Sequence, residues 1–133
     1  MKSGESGEVS ILKQIPNIHY RCPGKHPFIM SGGPGAVHCE HADKASNYAL
    51  DAVKNGSQLI ICDEMLDTVI FKTLEQKKLF ELIENCKTDN VELVMTGRFA
   101  SPELIRRADY ITEFVQVKHP YYSGAKSREG IEY

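Results

Sequence analysis

Two short apolar runs, each stopped abruptly by polar residues, constrain this chain more than any other feature. Leu59-Ile60-Ile61-Cys62 ends in Asp63-Glu64, and residues 91–95 end in Thr96-Gly97-Arg98. Runs of this length without alternation read as strands buried on both faces, the kind found in parallel sheets. Helical patterns flank both. Asp43 suits an N-cap and Gly56 a left-handed C-terminal residue, with Ala45, Tyr48, Ala49, Ala52 and Val53 sharing one face between them. Residues 74–87 repeat the pattern, with Leu79, Leu82, Ile83 and Cys86 in one stripe. Ser101-Pro102-Glu103 opens a third, short helix: a hydroxyl cap, Pro at the first position and an acid near the helix dipole, with Arg106 and Arg107 in the last turn. Residues 110–117 follow as a last strand. This alternation predicts an α/β fold, a mostly parallel sheet flanked by helices. In such sheets the polar residues just past the strand C-termini line the ligand crevice. Asp63-Glu64, Thr96-Gly97-Arg98 and Lys118-His119 are therefore expected along one edge.

The 133 residues form a single domain in this reading: irregular loops over 1–42, an α/β core over 43–117 and a basic tail over 118–133. Gly and Pro punctuate the first part, which leaves a helical turn at residues 10–14 and a short strand at 18–22. With 16 Lys plus Arg against 18 Asp plus Glu, the charge balance argues against a nucleic-acid partner built on a basic face. No apolar run approaches the ~18 residues of a membrane span. Residues 1–9 lack the apolar stretch of a secretion signal. The four Cys have no CxxC spacing and two sit in apolar patterns, so reduced thiols and a cytoplasmic location are expected.

Each polar cluster has a functional and a bland reading. Asp63 and Glu64 can hold a hydrated Mg²⁺ beside a nucleotide, or simply cap the next segment. Arg98 can clamp a phosphate or carboxylate, with Gly97 permitting close backbone approach, or pair with Asp63 or Glu64 on the surface. Lys118, His119, Lys126 and Arg128, with Tyr121 and Tyr122, can fold over an anionic ligand or stay solvated. Cys22, His38, Cys39 and His41 do not match a zinc spacing and read as ordinary loop residues. Ser31-Gly32-Gly33-Pro34-Gly35 reads as a loop, because no Gly-Lys-Ser/Thr follows it.

The ordered blocks 59–64, 91–98, 101–105, 108–113, 117–120 and 130–133 resemble the P-loop-type ATP:corrinoid, or cob(I)alamin, adenosyltransferases. Lys2 to Glu8 resembles that family's Lys-Gly…Gly-Glu loop. The resemblance implies an incomplete P-loop NTPase-like (RecA-like or Rossmann-like) architecture. It also implies transfer of the 5′-deoxyadenosyl group of ATP to the cobalt of a reduced corrinoid, with release of triphosphate. Cobalt(I) would be the nucleophile, so no covalent side chain is expected and the protein's part is positioning and charge neutralisation. On this likeness Asp63, Glu64, Thr96, Gly97 and Arg98 would bind the nucleotide, with Asp63 and Glu64 meeting Mg²⁺ through water. Lys118, His119, Tyr121, Gly124 and Lys126 would shape the corrinoid side.

Three departures qualify the likeness. The family's first strand, P-loop, first helix and second strand have no counterpart, so ordinary ATP binding is expected to be weak or lost. Its Phe-Thr-Trp loop is absent, with His26-Pro27-Phe28-Ile29-Met30 nearby, and its aromatic after the Asp-Glu pair gives way to Met65-Leu66-Asp67-Thr68. A central strand missing from such a sheet predicts a homo-oligomer or a partner subunit that fills the gap. The function is then one of three: an adenosyltransferase of corrinoid metabolism, an inactive corrinoid- or nucleotide-binding regulator, or a fragment with no activity of its own.

Overall fold

A computed structural model describes residues 7–25, 29, 31–126 and 128. The elements in chain order are α1 (Gly7–Leu12), α2 (Ala36–Lys54), β1 (Leu59–Cys62), α3 (Asp67–Ile70), α4 (Gln76–Thr88), β2 (Glu92–Met95) and α5 (Pro102–Arg107), followed by a 3₁₀ turn at Pro120–Ser123.

Two long helices feed two strands by the same device. The chain leaves α2 through Gly56 at φ 76°, where the Gly56 and Ser57 N–H groups donate to the Val53 and Ala52 carbonyls. It leaves α4 through Asn90 at φ 55°, with Asn90 and Val91 donating to Lys87 and Cys86. Such a left-handed exit satisfies the last carbonyls and reverses the chain. β1 and β2 follow at once and pair in parallel, Leu59 opposite Glu92 and Cys62 opposite Met95. The α/β class with a parallel sheet is thus observed, as two strands flanked by helices.

α2 and α4 pack on each other and on one face of this sheet. Ala42, Ala49, Val53, Ile60, Cys62, Leu79, Leu82, Ile83 and Cys86 are buried between them, joined by Met65, Leu74 and Leu104. The expected stripe on α4 is buried in full, whereas Tyr48 of α2 lies outside its stripe. The other face of the sheet is bare: Leu59 is 52% and Ile61 65% exposed, with Val94 beside them. Continuous apolar runs therefore do not mean burial on both faces here, because both covering helices stand on one side.

α5 is only six residues long, well below what is stable alone in water. Ser101 caps it as expected, its Oγ accepting from the Leu104 N–H at 3.3 Å and from Gln76 Nε2 at 2.8 Å. Arg107 fastens it to α4, with its Nη1 2.7 Å from Glu84 Oε1 and its guanidinium 4.4 Å over the Phe80 ring.

Four expectations are corrected. α2 starts at Ala36, not at an Asp43 cap: Gly35 is the N-cap and its N–H donates to His38 Nδ1 at 2.9 Å, so an imidazole supplies the cap. Asp43 instead pairs with Lys78 of α4 at 2.6 Å. Residues 18–22 form no strand, and the helical turn expected at 10–14 is α1, starting at Gly7. Residues 110–117 form no strand either: Tyr110, Phe114 and Val117 are each above 90% exposed, with no strand beside them. A strand needs a neighbour for its backbone groups, and the described chain offers this segment none. The resembling residues 2–6, His26–Phe28, Met30 and 130–133 lie outside the described residues.

Candidate functional site

The C-terminal ends of β1 and β2 are sewn together by one side chain. Thr96 Oγ1 donates to Asp63 Oδ1 at 2.8 Å and accepts the Glu64 N–H at 2.9 Å. Around it, the Thr96 N–H donates to the Cys62 carbonyl and the Leu66 N–H to the Thr96 carbonyl, both at 3.1 Å. Glu64 takes φ 55°, a left-handed turn that swings the chain out of β1 toward α3. Asp63, Glu64, Thr96, Gly97 and Arg98 thus share one rim, and all but the half-buried Glu64 are exposed.

The rim has an anchor that sequence reasoning missed. Asp67 is buried in the first turn of α3, and its Oδ1 accepts the Arg98 N–H at 2.6 Å. Its Oδ2 lies 3.6 Å from Arg98 Nε. The surface pair expected between Arg98 and Asp63 or Glu64 is therefore made with Asp67. Because that pair uses Nε and the Arg98 side chain is 79% exposed, the terminal guanidinium nitrogens face solvent. Gly97 makes the approach possible. At φ 157°, a Cβ on it would stand 2.6 Å from Leu66 Cβ and 2.8 Å from Asp67 Oδ1. The signal available in sequence was the Asp67 carboxylate standing where an aromatic was expected.

Tyr20 belongs to the same neighbourhood. Burial first, then Cys22, Glu8 and Asp63, hold its phenol above the ordinary tyrosine range. The rim is a surface rather than a cavity. A concavity of about 420 Å³ lies elsewhere, lined by Asp43, Val69, Lys72, Thr73, Leu74, Glu75, Gln76 and Lys78.

The tail residues do not join this rim among the described contacts. His119 caps the 3₁₀ turn, its Nδ1 accepting the Tyr121 N–H at 3.1 Å, and stacks edge-on with Tyr121 and Tyr122. Gly124 ends that turn at φ 80°, and Lys118 and Lys126 are exposed. No group of three or more His, Cys, Asp or Glu side chains among the described residues is placed to hold a metal. Asp63 and Glu64 put two carboxyl side chains on one turn, the first exposed with one oxygen taken by Thr96 and the second half-exposed; carboxylate oxygens are the donor type that Mg²⁺ takes while keeping most of its own waters. The four cysteines are not joined in disulfides, Cys62 and Cys86 being buried and Cys22 and Cys39 half-buried. No helix is long and apolar enough to cross a membrane among the described residues.

Comparison with known proteins gives a consistent answer. The family model for ATP:corrinoid adenosyltransferase BtuR/CobO/CobP matches residues 1–133. A corrinoid adenosyltransferase of a Sinorhizobium species is 28% identical over 93 residues, 69% of this chain and 44% of that relative. One of Pseudomonas aeruginosa is 32% identical over 75 residues, 56% of this chain and 36% of its own length. Corrinoid adenosyltransferase CobA of Salmonella typhimurium is 24% identical over 98 residues, covering 68% of this chain and 50% of that protein. The chain thus spans about half, or less, of the curated relatives it matches. No solved structure gives a significant match.

Proposed function

The chain belongs to the ATP:corrinoid adenosyltransferase BtuR/CobO/CobP family, and from that premise we propose that it works in corrinoid metabolism as a single-domain transferase of the adenosyl group of ATP. The observation that carries this reading is the Thr96 hydroxyl joining Asp63 to the β2 end. It gathers acid, hydroxyl, flexible backbone and guanidinium on one rim of a parallel sheet, where such folds bind ligands.

The roles follow from charge and position. Asp63 and Glu64 would hold Mg²⁺ through its waters, which neutralises part of the polyphosphate charge when the ion is bound. Arg98, tethered at its backbone and Nε, presents its outer nitrogens to the phosphates. In the transfer, the reduced cobalt donates an electron pair to C5′ of ATP. The C5′–O bond breaks, and the triphosphate leaves with that bond's electrons. Arg98 would offset the charge that gathers on the leaving group. Lys118, His119, Tyr121, Gly124 and Lys126 would meet the corrinoid, as flat surface and positive charge. A homo-oligomer or a partner subunit would complete the sheet, and the cytoplasm is the expected compartment.

Calorimetric titration with MgATP, and separately with a corrinoid, tests the proposal. The transferase reading requires MgATP binding, weak as the missing P-loop segment makes it, that Arg98→Ala lowers further, together with corrinoid alkylation seen in the visible spectrum; micromolar affinity would put it beyond doubt. Corrinoid binding without ATP binding would establish the inactive binding homologue instead. Silence toward both ligands overturns the transferase reading.

A further inference from the structure

We infer that Asp67 is a positioning residue for Arg98, a role that rests on the nucleotide reading above and names what aims its cation. One buried carboxylate sets the backbone at 97–98 and the lean of the guanidinium, so that Nη1 and Nη2 are held ready for two oxygens of one phosphate group. The anchor does not come from the family resemblance, which places an aromatic in the stretch Met65-Leu66-Asp67-Thr68.

The seat of this carboxylate is built independently of Arg98. Asp67 opens α3, and its side chain is only 11% exposed. Four residues of helix do not hold together alone in water, so other bonds must fix them. The Asp67 N–H donates to the Glu64 carbonyl, and the Leu66 N–H before it to the Thr96 carbonyl, both at 3.1 Å. Two buried hydroxyls tighten the rest. Thr68 Oγ1 donates to the Met65 carbonyl at 2.6 Å, and Thr73 Oγ1 to the Thr68 carbonyl at 3.2 Å. α3 is thus tied to both strand ends and closed upon itself. A group that aims another side chain needs such a base.

The two contacts with Arg98 differ in strength. The bond from its N–H to Oδ1, at 2.6 Å, is short, charge-assisted and mostly shielded from water. The approach of Nε to Oδ2, at 3.6 Å, is an ion pair beyond hydrogen-bond length with one partner 79% exposed. Asp67 therefore acts mainly on the main chain. It holds Gly97 at φ 157°, and with it the direction in which the Arg98 side chain leaves. The weaker contact then turns the Nε edge of the guanidinium toward the protein and leaves the N–H groups of Nη1 and Nη2 outward. A planar fork presented in this way meets two oxygens of one phosphate, a match that a lysine ammonium cannot make.

Titration of the isotope-labelled full-length chain with MgATP, followed by NMR, reads weak binding and reports folding in the same spectra. Asp67→Ala removes the acceptor and should weaken binding about tenfold, whereas Asp67→Asn keeps an oxygen for the Arg98 N–H and should lose no more than about threefold. Arg98→Lys alters an exposed side chain, keeps the charge and should still bind several-fold more weakly. The double variant Asp67→Ala with Arg98→Ala separates aiming from mere support of the fold. A residue that acts through Arg98 adds no loss once Arg98 is gone, whereas a supporting residue adds its loss in full. Additive losses overturn the inference. So do wild-type affinity in folded Asp67→Ala, an Asp67→Asn as weak as Asp67→Ala, and wild-type affinity in Arg98→Lys. Should Asp67→Ala not fold, Arg98→Lys and the Arg98 amide resonance decide. That resonance should lie far downfield and exchange slowly in the wild type and in Asp67→Asn, and an ordinary, fast-exchanging amide in the wild type refutes the anchor whatever the ligand does. A wild-type chain that binds no MgATP removes the nucleotide reading and leaves the amide to decide whether Asp67 holds Arg98.

Discussion

Gly97→Ala is the sharpest probe of the rim. An added Cβ would sit 2.6 Å from Leu66 Cβ and 3.1 Å from the Asp67 backbone nitrogen, with Asp67 Oδ1 at 2.8 Å. Carbon atoms rest about 3.5–4 Å apart, so the first contact is short by about 1 Å. Of these three atoms only Asp67 Oδ1 ends a side chain, and it is held by the Arg98 N–H. The structure has two ways out. Keeping the loop in place costs about 1–3 kcal/mol of overpacking, added to the strain of an L residue at φ 157°. Swinging the loop outward gives up the Arg98 N–H bond to the Asp67 carboxylate, about 1.5–3 kcal/mol. The cheaper route sets the loss, about 1.5–3 kcal/mol. Gly56→Ala is the control: at φ 76° it shares the backbone strain but has nothing within 4 Å of its Cβ, so it should cost about 1 kcal/mol. Urea unfolding of the two variants measures the difference. Should Gly97→Ala lose no more than Gly56→Ala, the contact with Leu66 and Asp67 is not what holds Arg98, and the anchored rim is wrong.

Three further outcomes follow from named contacts. Thr96→Val should cost about 1–2 kcal/mol by urea unfolding and weaken MgATP binding, while Thr96→Ser keeps both bonds and stays near wild type. Ser101→Ala should cost about 1 kcal/mol, since one oxygen serves both the Leu104 N–H and Gln76. Burial, then the neighbouring Cys86, push the Cys62 thiol up to about 11 from its ordinary 9.0. An acid with a raised folded value favours the folded state fully below the ordinary value and loses that advantage as pH rises through the folded one. Stability should therefore fall between pH 9 and 11 by up to about 3 kcal/mol from this group. Unfolding curves of Cys62→Ala, compared with wild type across that range, should show the smaller decline.

What could be read from the sequence was what local chemistry decides. The Ser101-Pro102 start, the Gly56 exit and the Leu79-Leu82-Ile83-Cys86 stripe depend on residues within a turn or two, and all stand in the structure. The rim was legible because strand ends announce themselves where apolar runs stop. The start of α2 was not, since its N-cap is a Gly with no side chain, and a histidine at the third helical position takes the part that Glu or Gln plays in a capping box. Asp67 stood out only as part of the segment replacing an expected aromatic, and its role could not be read because its partner stands 31 positions away. The apolar runs could not say how many of their faces are covered, as that depends on where helices land. Residues 110–117 show the limit most plainly: their side chains suit a strand, but strandhood belongs to a pair, and no local pattern names the mate.

Arg107 gives α5 a second meaning. A helix of six residues seated by Leu104 in the core, and fastened at its far end by Arg107 over Phe80 and against Glu84, is less a building block than a bearing. The ten residues beyond Ala108, drawn out fully, sweep about 33 Å, farther than β2 is long. A fixed axle with an arm of that length determines where the arm can touch before anything binds it. Loosening Arg107 would therefore blur the aim of the whole C-terminal segment while leaving its composition intact.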